Sequence, residues 1–213
     1  MRDVIFANEH FYHIYNRGVD KRDIFMDDTD RWRFIKSLCI FNDSIRWSER
    51  SITFEKSKLA RPEKPFVKIH AFCLMTNHFH LLIEQVIDGG VAKFMHRLGI
   101  GYTTYFNKRY ERTGSLLGGT FKAKMVNDDG YLSHLSRYIH LNPINNIIPI
   151  NELSEYRWSS YNDYIGRRSF PFIETKFIMD GYKNTNDYIK FIKSGEPAIN
   201  DQISHLYYDE SQD

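Results

Sequence analysis

The sequence contains little cysteine, no long apolar run and almost no net charge. Its two cysteines, Cys39 and Cys73, each lie within an apolar stretch of the 213-residue chain. We therefore expect buried, reduced thiols and a cytoplasmic location rather than a secreted, disulfide-stabilised protein. No window is apolar over the roughly 20 residues that a membrane-spanning helix needs. The N-terminus also lacks the apolar run of a signal peptide, so we expect no contact with a membrane.

The net charge of +2 does not by itself indicate a partner, but the basic residues are unevenly distributed. The densest basic window runs from 93 to 124 and interleaves its cations with tyrosine and phenylalanine. Its cations are Lys93, Arg97, Lys108, Arg109, Arg112, Lys122 and Lys124. Cations that follow phosphates and rings that stack on bases are typical of a surface for single-stranded nucleic acid. A solvated helix face above core aromatics produces the same pattern, and the window alone slightly favours that second interpretation.

Apolar periodicity predicts the element order β-α-β-β-α-β-α. The predicted strands cover 11–18, 66–75, 78–86 and 120–126, and the predicted helices cover 27–41, 89–110 and 128–143. Asp28 or Thr29 would cap the first helix, and Gly99 and Gly101 would bend the second or allow a close approach to it. The first six elements match the split βαβ arrangement. We therefore predict an α+β protein with a ferredoxin-like core, in which two helices cover one face of a four-stranded antiparallel sheet.

The length and composition predict one domain with an appendage. Residues 1–165 form the predicted domain, with a polar, irregular insertion at 43–65. Residues 166–213 form a predicted C-terminal extension of short helices and irregular chain with a frayed end. The hydrophobic content of 42% is sufficient for a core, and no internal repeat or low-complexity segment indicates another architecture.

Two histidines two residues apart, in the stretch "MTNHFHLLIEQ", are the first indication of chemistry. Because strand side chains alternate between faces, His78 and His80 point the same way, and Glu84 shares that face. Two imidazoles and a carboxylate on one face could bind a metal. With 9 histidines in 213 residues, however, random placement gives roughly 0.4 such pairs per chain, so the pair alone is weak evidence.

The last predicted helix carries a second set of polar residues at helical spacing. His134, Tyr138 and Asn142 follow one another at i, i+4 and i+8, which places them along one face. A tyrosine phenol becomes a competent nucleophile when a metal polarises the phosphate that it attacks. Asn142 could supply an oxygen ligand to that metal. A core tyrosine and an asparagine at a helix end before proline are the alternative interpretations.

Together, the two sets identify a family resemblance. The segment "NHFHLLIE" on a central strand, followed by "RYIHLNP" on the last helix, resembles the single-tyrosine HUH transposases, most closely the REP-associated tyrosine transposases. The resemblance extends over most of 9–165 and includes "HIYNRGVDKRDIF", "YTTYFNKRYERTGSL" and "YRWSSYNDY". The HUH pair is common by itself, but its combination with the later block in this order is specific.

The resemblance implies a mechanism and a set of site residues. His78 and His80 match the family's metal-binding histidines, Asn142 matches the polar residue that completes the site, and Tyr138 matches the nucleophile. The implied cofactor is Mg²⁺ or Mn²⁺, and the implied substrate is single-stranded or hairpin DNA, which is cut through a 5′-phosphotyrosine and rejoined in DNA transposition or recombination. Glu84 is the competing third ligand. His134 would support the site or bind phosphate, or lie as a plain surface histidine.

The basic residues near the predicted site are the expected DNA contacts. They are Arg17, Lys93, Arg97, Lys108, Arg109, Lys122 and Lys124. The loop "LLGGTF" departs from relatives, because Thr120 occupies a position that is often arginine. The altered loop is the one hint of a first alternative, a single-strand-binding regulator without turnover. A second alternative is a metallonuclease that uses the HxH pair to activate water while Tyr138 is structural. Either a monomer or a homodimer is compatible with the resemblance.

Overall fold

The computed structural model describes residues 4–45, 59–126, 129–145 and 147–195. Most of the insertion predicted at 43–65, residue 128 at the start of the last predicted core helix, and the predicted frayed end lie outside the described residues. The core elements are β1 (Phe11–Arg17), α1 (Asp28–Ile40), β2 (Val67–Leu74), β3 (His78–Gln85), α2 (Gly90–Arg109), β4 (Lys122–Val126) and α3 (Asp129–Leu141). The short helices α4 (Tyr161–Tyr164), α5 (Lys176–Met179) and α6 (Thr185–Lys193) follow.

The four strands form one antiparallel sheet in the order β2-β3-β1-β4. This is the strand order of the split βαβ arrangement, in which the two central strands are β1 and β3. The predicted α+β, ferredoxin-like fold class is therefore confirmed. The register places His80 opposite Tyr15 and His78 opposite Arg17, so the central strands bring their polar side chains to one face.

Helices cover both faces of the sheet. On the first face, Phe79 of β3 packs against Phe34 of α1, with ring centroids 4.9 Å apart, and Phe34 packs against Tyr102 of α2 at 5.0 Å. On the second face, α3 packs against β2, β3 and β4. We call these the α1/α2 face and the α3 face. The two histidines of β3 lie on the α3 face, because they alternate with Phe79 along the strand.

Two details of the helices refine the sequence predictions. A Cβ atom at Gly101 would lie 2.3 Å from the ring of Phe41, so glycine is what allows α2 to cross the end of α1 closely. The N-cap of α1 is Asp27, not Asp28 or Thr29. Its carboxylate accepts a hydrogen bond of 3.0 Å from the backbone N–H of Asp30 and thereby satisfies one of the otherwise unpaired donors of the first turn.

The chain after α3 packs on the core at two places. Backbone bonds from Leu74 to Trp158 and from Glu174 to Ile69 cover the outer edge of β2. Behind α3, the hydroxyl of Tyr188 in α6 lies 2.8 Å from Nδ1 of His140. Cys39 and Cys73 are both buried, and neither forms a disulfide. In the described part of the chain, no helix has a stretch long and apolar enough to cross a bilayer.

Candidate active site

His78 begins β3 and faces the end of α3. Its Nε2 lies 3.3 Å from Oδ1 of Asn142, the residue at which α3 gives way to a 3₁₀ turn. The amide of Asn77 donates to the carbonyl of Lys21 at 3.0 Å, so its Oδ1 is the atom that faces Nδ1 of His78 at 2.7 Å. Both oxygens can only accept, and the contact with Asn77 is the shorter, so we assign the proton of His78 to Nδ1, which leaves an Nε2 lone pair beside the amide oxygen of Asn142.

The surroundings keep the imidazole of His78 neutral. Burial lowers its pKa to about 4, although the amide oxygen of Asn142, which would accept from a protonated ring, acts in the opposite direction, and the charge of Arg17 adds to the lowering. Neutral imidazole is the form that binds a metal ion. An Nε2 lone pair beside an amide oxygen is therefore a donor arrangement that suits a cation.

His80 lies deeper on the same face and is fully buried. Its Nδ1 lies 3.0 Å from Nε2 of His13 in β1, and the two rings stack with their centroids 5.2 Å apart. Burial holds the pKa of His80 well below its ordinary value, and the neighbouring His78 and His13 add to the effect. Burial, followed by the charge of Lys124, lowers the pKa of His13 to about 3. All three imidazoles are therefore neutral near pH 7.

His13 was not among the site residues predicted from the sequence. The sequence does contain an indication of its position, because residues 13, 15 and 17 alternate along the first predicted strand and therefore share one face. In a split βαβ sheet that strand lies beside the strand of the HxH pair, so one of its faces necessarily meets the two histidines.

Helix α3 brings Tyr138 to this cluster within the same chain. Its ring meets His80 edge-on at 5.4 Å and His13 at 5.9 Å. Only 1% of Tyr138 is exposed. The HxH pair of β3 and Tyr138 of α3, which the family resemblance linked, therefore lie together in the fold.

A family model described as "Transposase IS200 like" matches residues 40–142, a segment that includes the HxH pair, Tyr138 and Asn142. The resemblance to this transposase family is confirmed. The match supports a transposase-like, DNA-processing function for the chain. No curated protein sequence matches the chain.

Among solved structures, one described as "Structure of the REP associates tyrosine transposase bound to a REP hairpin" matches with a TM-score of 0.52. The match covers 78% of this chain and 86% of the other, at 11% sequence identity. At that identity, the similarity shows that the two share a fold.

Glu84 lies apart from the histidine pair, because it pairs with Phe11 at the other end of β3. A bulge between Ile69 and Ala71 aims His70 at Glu84, whose second oxygen accepts from Lys68 at 2.7 Å. Burial acts to raise the pKa of Glu84, but the hydrogen bonds from His70 and Lys68 outweigh it and hold that pKa below its usual value. The carboxylate is thus occupied by cross-strand partners of its own.

His134 also faces away from the cluster. The guanidinium of Arg137 donates to its Nδ1 at 2.9 Å, and its ring contacts Phe191 of α6 at 5.5 Å. Burial, and then the charge of Arg137, lowers the pKa of His134. Of the three residues expected along one helix face, Tyr138 and Asn142 border the histidines, whereas His134 contacts the C-terminal extension.

Three of the expected DNA-binding cations border the site. Arg17 is the cross-strand partner of His78, and its buried Nε has no hydrogen-bond partner within the described ranges. Lys122 and Lys124 of β4 pair in register with Tyr15 and His13. Because cross-strand partners share a face, these lysines lie beside the histidine cluster.

The remaining cations belong to α2, on the other side of the sheet. Arg109 forms ion pairs with Asp27 at 2.5 Å and Asp30 at 2.6 Å. Arg97 donates to a backbone carbonyl at 3.5 Å and lies over the ring of Phe66. Lys93 donates to a backbone carbonyl at 3.2 Å, and Lys108 is exposed. The basic window from 93 to 124 is therefore divided between two faces rather than forming one surface.

The donor set can be compared with what a divalent metal requires. Within the ranges that the structure describes, no group of three histidine, cysteine, aspartate or glutamate side chains is arranged to hold a metal. The set around His78 instead combines two neutral imidazoles with the amide oxygen of Asn142. Imidazole and carbonyl oxygen are both ligands for Mn²⁺, and carbonyl oxygen also suits Mg²⁺, so these residues fit the ion that the resemblance implies.

Proposed function

We propose that this protein is a metal-dependent endonuclease and strand transferase for single-stranded DNA, with Tyr138 as its nucleophile. The observation that carries the proposal is the position of Tyr138, whose ring lies 5.4 Å from His80 of the same chain. A tyrosine beside two neutral imidazoles and an amide oxygen differs from an ordinary core tyrosine, because those groups are ligands. The arrangement suits a monomer in which helix and histidines act within one chain.

His78, His80 and Asn142 would hold Mg²⁺ or Mn²⁺. When bound, the ion supplies Lewis-acid polarisation of the scissile phosphate. His78 would present Nε2, since its Nδ1–H donates to Oδ1 of Asn77. Arg17 would pair with a phosphate oxygen, and Lys122 and Lys124 would bind phosphates further along the strand. These contacts hold the backbone in place, which is what catalysis by proximity requires.

Tyr138 performs the substitution at phosphorus. Its phenol oxygen forms a bond to the phosphorus, the bond from phosphorus to the 3′ oxygen breaks, and the departing oxygen takes a proton to become a 3′-OH. The phenol loses its own proton in the same step. The product is a 5′-phosphotyrosine, and attack by a second 3′-OH reverses the step and joins two strands without ATP.

The burial of Tyr138 adds a requirement. Because only 1% of the side chain is exposed, the lining of the site has to move before a phosphate reaches the phenol. A flexible single strand or a hairpin end fits such an opening more readily than stiff duplex. The similar transposase structure is described as bound to a hairpin, which supports a hairpin substrate for this chain.

A labelled single-stranded hairpin incubated with the protein and Mn²⁺, then run on a denaturing gel, tests the proposal. We expect a covalent protein–DNA band that disappears in Tyr138→Phe. Tyr131→Phe on the same helix is the matched control and should retain the band. Hairpin binding without any band would instead support a regulator, and cleavage without a covalent product would support a water-activating nuclease.

A further inference from the structure

A third imidazole contacts the histidine pair from the neighbouring strand. His13 Nε2 lies 3.0 Å from His80 Nδ1, and the rings are nearly parallel, with an interplanar angle of 19°. His13 is 1% exposed and His80 is fully buried, so water cannot readily replace this contact. In a dry site, a hydrogen bond between the two rings recovers part of the cost of burying their nitrogens.

The direction of this hydrogen bond decides whether His80 can bind a metal through Nε2. A neutral imidazole has one protonated nitrogen and one with a lone pair. If His80 carries its proton on Nδ1, the lone pair of His13 Nε2 accepts it, and His80 Nε2 is left as the ligand atom. If the proton instead occupied His80 Nε2, that nitrogen could not bind a metal.

We propose that His13 is a positioning residue that holds His80 in the Nδ1–H tautomer and fixes its ring for metal binding. The inference rests on the proposed function, because it requires that His80 is a ligand. Hydrogen bonds from outer partners to metal-binding histidines commonly set both tautomer and orientation, and their loss typically weakens metal affinity by about 10- to 100-fold. His13 itself need not touch the metal or the substrate.

A purely structural role for His13 is the rival explanation. Its ring also packs against Tyr15 at 4.9 Å and Tyr138 at 5.9 Å, so any change of volume would disturb the core. Two substitutions separate the explanations. His13→Phe keeps an aromatic ring and removes the acceptor, whereas His13→Gln changes the shape but keeps an oxygen that can accept from His80 Nδ1.

The test is titration calorimetry of the full chain with Mn²⁺ alone, without DNA, after treatment with EDTA. We expect His13→Phe to weaken Mn²⁺ binding by about 10- to 100-fold and His13→Gln to recover most of the affinity. Thermal unfolding in EDTA reports whether each variant is folded. Wild-type affinity in folded His13→Phe overturns the inference and leaves the proposed function intact. Binding by the wild type no tighter than by His80→Ala would overturn both.

Nitrogen-15 NMR of the histidine side chains in the metal-free wild type provides a measurement that needs no variant at position 13. His80, assigned through the resonances that are lost in His80→Ala, should show a protonated Nδ1 and an unprotonated Nε2. The opposite tautomer at His80 would overturn the inference even if His13→Phe did not fold.

Discussion

The two faces of the sheet differ in what they bury. The α1/α2 face buries apolar rings such as Phe34 and Phe79. The α3 face buries His13 and His80 beneath Tyr138. Burial of apolar rings stabilises a fold, whereas burial of imidazoles costs free energy unless their nitrogens are bonded. The comparison supports the proposal that the α3 face carries the chemistry, whereas the α1/α2 face supplies stability.

The covering helices differ in the same way. Helix α2 carries most of the cations of the basic window, yet it covers the α1/α2 face. There Arg109 forms ion pairs with Asp27 and Asp30. Helix α3 presents Tyr138 to the sheet and is backed by α6, where Tyr188 bonds to His140. A dense basic stretch in a sequence is therefore not sufficient to locate the proposed site, whereas the pairing of the central strands brings its residues together.

The largest expected effect is the difference between removing the hydroxyl of Tyr138 on the α3 face and that of Tyr102 on the α1/α2 face. Tyr138→Phe should keep the fold and reduce covalent adduct and cleavage to background, because it removes only the nucleophilic oxygen. Tyr102→Phe, on the α1/α2 face, should keep cleavage and lose about 1–3 kcal/mol of stability, since its hydroxyl donates to the buried carbonyl of Ile24 at 2.6 Å. Adduct gels and urea unfolding measure the two quantities.

Equal cleavage by wild type and Tyr138→Phe would remove Tyr138 as the nucleophile. Loss of cleavage in folded Tyr102→Phe would break the division of roles between the two faces.

A second prediction compares side chains of β3 that point to opposite faces of the sheet. Phe79→Ala should destabilise the protein by about 3–5 kcal/mol, because it empties a buried ring position between β3 and α1. His78→Ala and His80→Ala should instead abolish metal-dependent cleavage at a smaller cost in stability. Glu84→Ala should leave most of the cleavage, since its carboxylate is bound by His70 and Lys68. Cleavage assays and denaturant unfolding on the four variants check this.

If Glu84→Ala were as damaging to cleavage as the histidine variants while Asn142→Ala was mild, the assignment of the third ligand would move from Asn142 to Glu84.

The α3 face should also make the stability depend on pH. Burial lowers the pKa of His13 to about 3 and that of His78 to about 4, against an ordinary value of 6.5 in the unfolded chain. Below pH 6.5 the unfolded state therefore binds more protons than the folded state, so the free energy of unfolding falls as pH falls. We expect a loss of about 1 kcal/mol per buried histidine between pH 7 and 5.5.

Urea unfolding of the metal-free protein at several pH values measures this dependence. His13→Gln should reduce the dependence by the contribution of one buried histidine, and His96→Gln, at an exposed position of α2, serves as the control. A stability that is constant from pH 7 to 5.5 would contradict burial of neutral imidazoles on the α3 face.

The sequence predicted the fold and the site unequally, for physical reasons. Periods of 2 and 3.6 residues are local, so the strand and helix order and the ferredoxin-like class followed from them. The link between the HxH pair and Tyr138 came from the family pattern. His13 was missed because its role depends on the pairing of β1 with β3, and the partners of Glu84 depend on a bulge in β2. Such cross-strand contacts can be read only when the strand order is known, and not from a single stretch of sequence.

The smallest expected effect compares cations on the two faces. Arg17→Ala or Lys122→Ala should weaken binding of a labelled hairpin and lower the magnitude of its salt slope by about 1 each, because each removes one phosphate contact beside the histidines. Lys108→Ala, an exposed cation of α2, should change neither quantity. Unlabelled duplex without hairpins should compete poorly with the labelled hairpin at the same salt concentration, since stacking needs unpaired bases. Equal competition by duplex, or a Lys108→Ala effect as large as that of Arg17→Ala, would mean that DNA follows α2 rather than the α3 face.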